Sequence, residues 1–241
     1  MDHTFEIVDT HCHLDVDEFD ADRDAVLQQA RRAGVVAQII PAIEACSWPR
    51  LLQLCARHAD LHPALGLHPV YLDRHAAADL EKLTEMVHTA RPVAIGEIGL
   101  DFAIKSLHRE RQIELFDRQL MIAEQAGLPV IIHARKSHDE VIGLLQKHRL
   151  AGGTIHAFNG SLQQGLRYYA MGFKLGFGGM LTYPHSRKLR QLAQRLPAAA
   201  LVLETDAPDL TVASHHGERN SPHYLPQVLA ALAEVRGEPL E

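Results

Sequence analysis

Cysteine is almost missing from this chain: Cys12, Cys46 and Cys55 are the whole complement among 241 residues. Three thiols at irregular spacing make no disulfide framework, so nothing here asks for an oxidising compartment. Aromatic residues are scarce at 5%, with one tryptophan. That excludes a long stacking platform for single strands and leaves contact with one or two nucleotides open. No apolar run approaches the roughly 18 residues of a membrane span. The first residues are polar and acidic with no apolar stretch behind them, so no secretory leader is read and a cytoplasmic location is expected. Neither sign of charge dominates, since 24 Lys and Arg against 30 Asp and Glu give a formal charge of -6. A protein that coats nucleic acid or anionic membrane through bulk charge is thereby excluded, although a local basic patch is not. The excess lies elsewhere, in 17 histidines.

Short apolar runs alternate with longer amphipathic stretches throughout. Strands are expected at Phe5–Thr10, Val35–Ile40, Pro63–Leu67, Pro92–Glu97, Val130–His133, Thr154–Ala157, Phe173–Phe177 and Leu201–Glu204. Helices are expected around Asp22–Arg32, Trp48–His58, Leu80–Thr89, Leu107–Gln125, Asp139–His148, Leu162–Met171, Ser186–Arg195 and Pro222–Val235. The helical period is clearest where Ile113, Phe116, Leu120 and Ala123 recur. Gly34, Gly127 and Gly172 each follow a helical stretch as left-handed caps. The βα units are long enough for right-handed crossovers, and the simplest closure is a (β/α)8 TIM barrel formed by residues 1–241 as a single domain. A doubly wound open sheet is the rival, and it lacks a GxGxxG after the first strand. The chain ends soon after its last helical stretch, so the closing helix is expected to be short.

Strand exits of a parallel barrel share one rim, and the unusual residues fall at strand exits. Asp9, His11 and His13 lie at the first, His68 after the third, Glu97 at the fourth, His133 at the fifth, His156 at the sixth and Asp206 after the eighth. Strand alternation turns His11 and His13 to one side and Cys12 away, as a buried thiol. An HxH alone is as readily a hydrogen-bonded core pair. Joined by Glu97, His133, His156 and Asp206 it offers six ligands, more than one tetrahedral ion uses. The set suits two divalent ions about 3.5–4 Å apart bridged by Glu97. His11, His13, Glu97 and Asp206 would hold one, and Glu97, His133 and His156 the other. Mg²⁺, Mn²⁺ and Zn²⁺ are all compatible, with imidazoles favouring the last two.

Two roles are open to Asp206: orienting and deprotonating an attacking water, or ligation alone. Glu204, Asp9 and Asp15 either orient ligating histidines or accept backbone hydrogen bonds. The same rim is expected to carry Arg135, Lys136, His138, Lys174 and Arg219. Arg135 offers a fork for phosphate or a salt bridge to a loop carboxylate. His68 either donates to a leaving oxygen or packs its loop, and Asn159-Gly160-Ser161 either receives an anion or caps a helix.

These residues sit in six motifs that resemble the TatD family of metal-dependent deoxyribonucleases along essentially the whole chain. They are Asp9-Thr10-His11-Cys12-His13-Leu14-Asp15, Gly66-Leu67-His68-Pro69, Gly96-Glu97-Ile98-Gly99-Leu100-Asp101, Leu128 to Arg135, Ile155 to Ser161, and Leu203 to Asp209. The resemblance implies a barrel of the amidohydrolase superfamily with a divalent-metal centre at His11, His13, Glu97, His133, His156 and Asp206. It implies a Mg²⁺-dependent nuclease, in some members a 3′-to-5′ exonuclease on DNA. DNA ends or short single strands are then the expected substrate, with Asp206 and Glu97 catalytic, Arg135 and His68 on the phosphate, and a monomer as the working unit. Hydrolysis of a small amide, ester or lactone by the same centre is the alternative, and a metal-binding scaffold without turnover a third reading.

Overall fold

The computed structural model describes residues 5–239. Its strands are β1 (Ile7–Asp9), β2 (Val35–Pro41), β3 (Leu61–Leu65), β4 (Ala94–Asp101), β5 (Val130–Arg135), β6 (Gly153–Ile155), β7 (Phe173–Phe177) and β8 (Leu201–Leu203). The α-helices between and after them are α1 (Arg23–Arg32), α2 (Trp48–Arg57), α3 (Ala77–Ala90), α4 (Arg109–Ala126), α5 (His138–Leu145), α6 (Leu162–Ala170), α7 (Arg187–Arg195) and α8 (Leu225–Arg236). All strand pairs are parallel and the sheet order follows the chain from β1 to β8. This is a (β/α)8 barrel of the TIM type, nearly closed, with its core formed where strand interiors meet the apolar faces of the helices.

The last gap is bridged by hydrogen bonds just beyond the strand ends. Thr10 N–H donates to the Leu203 carbonyl at 3.0 Å, Asp206 N–H to His11 at 2.9 Å, and His13 N–H to Ala207 at 2.7 Å. Asp9 clamps the same seam. Its carboxylate accepts from Thr205 N–H at 3.0 Å, Thr205 Oγ1 at 2.6 Å and His11 N–H at 3.2 Å. The residues that fasten the barrel are therefore the neighbours of those that build its rim.

Several expected boundaries move. β1 ends at Asp9 because the N–H groups beyond it turn to the carbonyls of Leu203, Ile39 and Ala207 instead of one neighbouring strand. β3 starts earlier, since Leu61 and His62 already pair with β2. β4 runs past Glu97 to Asp101, because Gly99 and Asp101 pair with His133 and Arg135 of β5. The closing helix is not short: α8 has 12 residues, ends at Gly237 with φ 64°, and packs on β1, β8 and α7. The caps expected at Gly34, Gly127 and Gly172 have φ of 88°, 64° and 87°.

Helix α4 does more than pack. Phe116, Leu120 and Ala123 are buried at helical spacing, and Gln112 and Gln119 are buried on the same face. Gln119 bonds both Leu67 N–H and the Leu67 carbonyl, at 2.8 and 3.1 Å. Gln112 does the same to Asp101, also at 2.8 and 3.1 Å. Each glutamine thus fixes the backbone of one strand exit, beside His68 and at Asp101. A buried amide that satisfies both backbone groups offsets its desolvation cost and holds the strand end in one place.

Candidate metal centre

The six expected ligands come together at the strand exits. His11 Nε2 lies 3.1 Å from His13 Nε2, 3.3 Å from Glu97 Oε2 and 3.5 Å from Asp206 Oδ1. His13 Nε2 lies 3.6 Å from the same two carboxylates. Donors held at about 2.1 Å by one divalent ion stand roughly 3.0–3.4 Å apart, so this donor set, at 3.1–3.6 Å, needs to close only slightly around a single cation. On the other side of Glu97, Oε1 faces His133 Nδ1 at 3.2 Å and His68 Nε2 at 3.3 Å. Glu97 therefore faces two clusters, one with each oxygen. His156 Nε2 stands between them, 3.6 Å from Asp206 Oδ2 and 4.0 Å from Glu97 Oε1, with its ring stacked on His11 at 3.7 Å. Its donor atom converges with those of His11 and Glu97 and not, as expected, with Glu97 and His133, because His68 occupies the place beside that pair.

What the outer nitrogens touch decides what the inner ones offer. His13 Nδ1 donates to the Pro41 carbonyl at 3.1 Å, and His133 Nε2 donates to Asp101 Oδ2 at 3.1 Å. His156 Nδ1 faces Glu204 Oε1 at 3.1 Å, bent away from hydrogen-bond alignment. For His13 and His133 an oxygen outside holds a proton on the outer nitrogen, and beside His156 the Glu204 carboxylate favours the same by its charge, so the inner nitrogen is the one a cation would take. His68 is the reverse. Its Nδ1 accepts from Val70 N–H at 3.1 Å, so Nε2 carries the proton and points a donor at the cluster. His11 Nδ1 is buried without a partner among the described residues.

The charges are strongly coupled. Burial alone would raise the Glu97 carboxyl, but His68 and His11 beside it outweigh burial and hold it well below the usual carboxylate range. Burial also works against ionised Asp206, yet His156 and His13 bring it down to about 2. Burial disfavours charge on His13 and His156 too. The Asp206 carboxylate lifts His13 to about 9, and Glu204 with Asp206 lifts His156 to about 10. Cys12 is buried, and burial pushes its thiol far up, as an inert side chain requires.

The remaining rim residues sort differently. Arg135 is 58% exposed and reaches Asp101 Oδ2 at 3.7 Å, so a carboxylate partner is present while much of the guanidinium meets solvent. Glu204 Oε1 accepts from Ala157 N–H at 2.7 Å and also faces His156, Asp9 serves backbone N–H groups and Thr205, and Asp15 bonds no histidine among the described residues. Asn159-Gly160-Ser161 ends in a capping box, with Ser161 Oγ accepting from Gln164 N–H at 3.1 Å. His138 is buried against Tyr168 and Asn159, and Arg219 is paired with Asp22 over the Phe19 ring. Lys174 is not on this rim. It is the second residue of β7, at the opposite end of the barrel, and its Nζ donates to Ala199 at 2.5 Å.

Asp101, Gln112 and Gln119 went unread in the sequence. Asp101 shares Glu97's parity along β4, and the two glutamines interrupt an apolar helical stripe seven residues apart. Both are signals of a polar group turned inward. Five of the six candidate ligands, all but the fully buried His11, open onto a cavity of about 260 Å³ that Tyr71, Pro208 and Asp209 also line. A second cavity of about 440 Å³ adjoins it and shares Asp206.

A barrel rim with four imidazoles and two carboxylates around a common point defines a metal-dependent hydrolase type. The chain belongs to the family described as TatD related DNase, whose model matches residues 8–241. It is 44% identical over 237 residues to the "uncharacterized metal-dependent hydrolase YjjV" of Escherichia coli K12, covering 97% of this chain and 92% of that one. It is 33% identical over 245 residues to the "3′-5′ ssDNA/RNA exonuclease TatD" of a Pantoea species, covering 97% and 93%. The crystal structure of the E. coli YjjV protein superposes with a TM-score of 0.92 at 43% identity, over 97% of this chain and 91% of that one. A TatD family hydrolase from Entamoeba histolytica gives 0.84 at 20% identity, over 97% and 92%, and that likeness concerns the fold alone. Among the described residues no helix is long and apolar enough to cross a membrane.

Proposed function

We propose that this chain is a phosphodiester hydrolase that removes nucleotides from the 3′ ends of DNA, using two divalent cations held by His11, His13, Glu97, His133, His156 and Asp206. The observation that carries the reading is the proton arrangement. Two histidines bond an outer oxygen that reserves the inner nitrogen for a cation, His156 has the Glu204 carboxylate beside its outer nitrogen, and His68 turns an N–H toward the same place. Cations bound there would neutralise charge on the non-bridging phosphate oxygens and acidify a coordinated water. Glu97 spans the two clusters with its separate oxygens. Asp206, ionised across the working pH range, would orient the attacking water by accepting a hydrogen bond from it. His68 Nε2–H donates to the phosphate or to the departing 3′-oxygen, and Arg135 offers its exposed guanidinium to the next phosphate. The exonuclease name of the Pantoea relative agrees with this substrate class.

The test is release of nucleotides from end-labelled single-stranded DNA with Mg²⁺ or Mn²⁺, comparing the native chain with Glu97→Gln. Release that depends on Glu97 supports the proposal, and release unchanged by the substitution ends it. The alternative, hydrolysis of a small ester, amide or lactone, draws on the largely apolar character of the 440 Å³ cavity. Turnover of chromogenic esters without any turnover of bis-p-nitrophenyl phosphate or DNA would favour it.

A further inference from the structure

We propose that the 440 Å³ cavity beside Asp206 is a nucleobase subsite, holding the base of the nucleotide next to the bond that is cut; this rests on the nuclease reading above. Its size lies within the roughly 300–1,000 Å³ of small-molecule sites. The cavity lies among the exits of β6, β7 and β8 and the first turn of α7, and Glu204 and Asp206 line it. A group seated in it is therefore continuous with the atoms around the metal centre.

The chemistry of the lining points to a planar apolar body joined to an anion. Phe177, Met180, Leu189, Leu192 and Leu210 supply the apolar wall. Leu210 is 40% exposed, with φ 49° in the left-handed region, where a leucine is costly without a purpose. At the same cavity stand Arg187 and Lys188, both exposed. Lys188 is fixed by a 2.7 Å bond from Nζ to the Asn159 carbonyl, and Arg187 makes no ion pair among the described residues. A neutral acyl group would leave these cations nothing to neutralise, whereas a nucleotide brings a phosphate on either side of its base. His185 also lines the cavity and packs edge-on against Tyr183 at 5.4 Å, so a second base leaving the cavity meets rings. Contact through apolar and aromatic surface discriminates little between bases, and low sequence selectivity follows.

The experiment measures binding, not turnover, on the full chain with Mg²⁺. The probes are deoxyadenosine 5′-monophosphate and deoxyribose 5-phosphate, in which a hydroxyl replaces the base, titrated by calorimetry. The native chain is expected to bind the nucleotide at least about tenfold more tightly than the sugar phosphate. Leu189→Trp, which fills the cavity from α7, should erase that difference while sugar phosphate binding and metal content stay as they were. Met180→Trp is the independent second variant, should the first not fold. Equal affinity of the native chain for the two probes overturns the subsite, as does a preference that both tryptophan variants retain. The DNA assay with Glu97→Gln separates the two claims. Glu97-dependent DNA cleavage with base-independent binding removes only the subsite, and base-dependent binding without any cleavage removes only the nuclease reading.

Discussion

Replacing Asp101 by asparagine changes one atom of a carboxylate that never faces the clusters directly. Asp101 has two donors to satisfy: Ala103 N–H on Oδ1 at 2.9 Å and His133 Nε2–H on Oδ2 at 3.1 Å. An amide has one oxygen, so it serves one donor and presents N–H to the other. If the amide nitrogen faces His133, Nε2 must become the acceptor and the proton moves to Nδ1. That is the nitrogen 3.2 Å from Glu97 Oε1, and it then has no lone pair for a cation. Changes to such an outer partner cost about 10–100-fold in metal affinity, or about 1.4–2.7 kcal/mol. The loss should fall on one ion only, because His11, His13 and Asp206 do not touch Asp101. Calorimetric titration with Mn²⁺ should resolve one site of native affinity and one weakened within that range, while thermal unfolding confirms the fold. Two sites of native affinity in Asp101→Asn would refute the argument that outer oxygens set the histidine protons.

Three further outcomes follow from the same geometry. His68→Gln should leave metal content at the native level and raise KM for DNA about tenfold, since His68 acts as a donor; loss of bound metal would instead make it a ligand. Gly176→Ala should cut activity sharply, because a Cβ there would meet Glu204 Oε2 at 2.1 Å and push the carboxylate off His156; an alanine variant with native activity would show that the Glu204 contact is dispensable. His13 and His156, raised to about 9 and about 10, carry protons at pH 7 that a cation must displace. Metal loading at pH 7 should therefore release at least two protons per chain, since His133 is raised as well, fewer as pH rises through those values, and metal affinity should rise with pH. Calorimetry in two buffers of different ionisation enthalpy reads the number, and no release at pH 7 contradicts the assignment.

The strands and helices were legible because apolar runs separated by capped amphipathic stretches leave few alternatives to a parallel barrel. The convergence of His11, His13, Glu97, His133, His156 and Asp206 was legible because strand exits of such a barrel share a rim. Where the reading failed, the information lay between segments and not within them. Lys174 resembles a rim cation only while the polarity of its strand is ignored; as the second residue of β7 it sits at the far end. The end of β1 depends on where Thr10, Cys12 and His13 find carbonyls, and those belong to three different segments. Asp101, Gln112 and Gln119 stand on faces that periodicity marks as buried, so their polarity was a legible signal. Their targets, His133 and the backbones of Asp101 and Leu67, were not legible, since only the packing of α4 on the barrel defines them.

The central claim is that these side chains hold divalent cations between them. Crystals soaked in Mn²⁺ and measured for anomalous scattering test it most directly. The account expects one peak at ligand distance from His11 Nε2, His13 Nε2, Glu97 Oε2 and Asp206 Oδ1, and a second beside Glu97 Oε1 and His133 Nδ1. Fully soaked crystals with no peak at the strand exits, or with manganese bound only elsewhere, would contradict it.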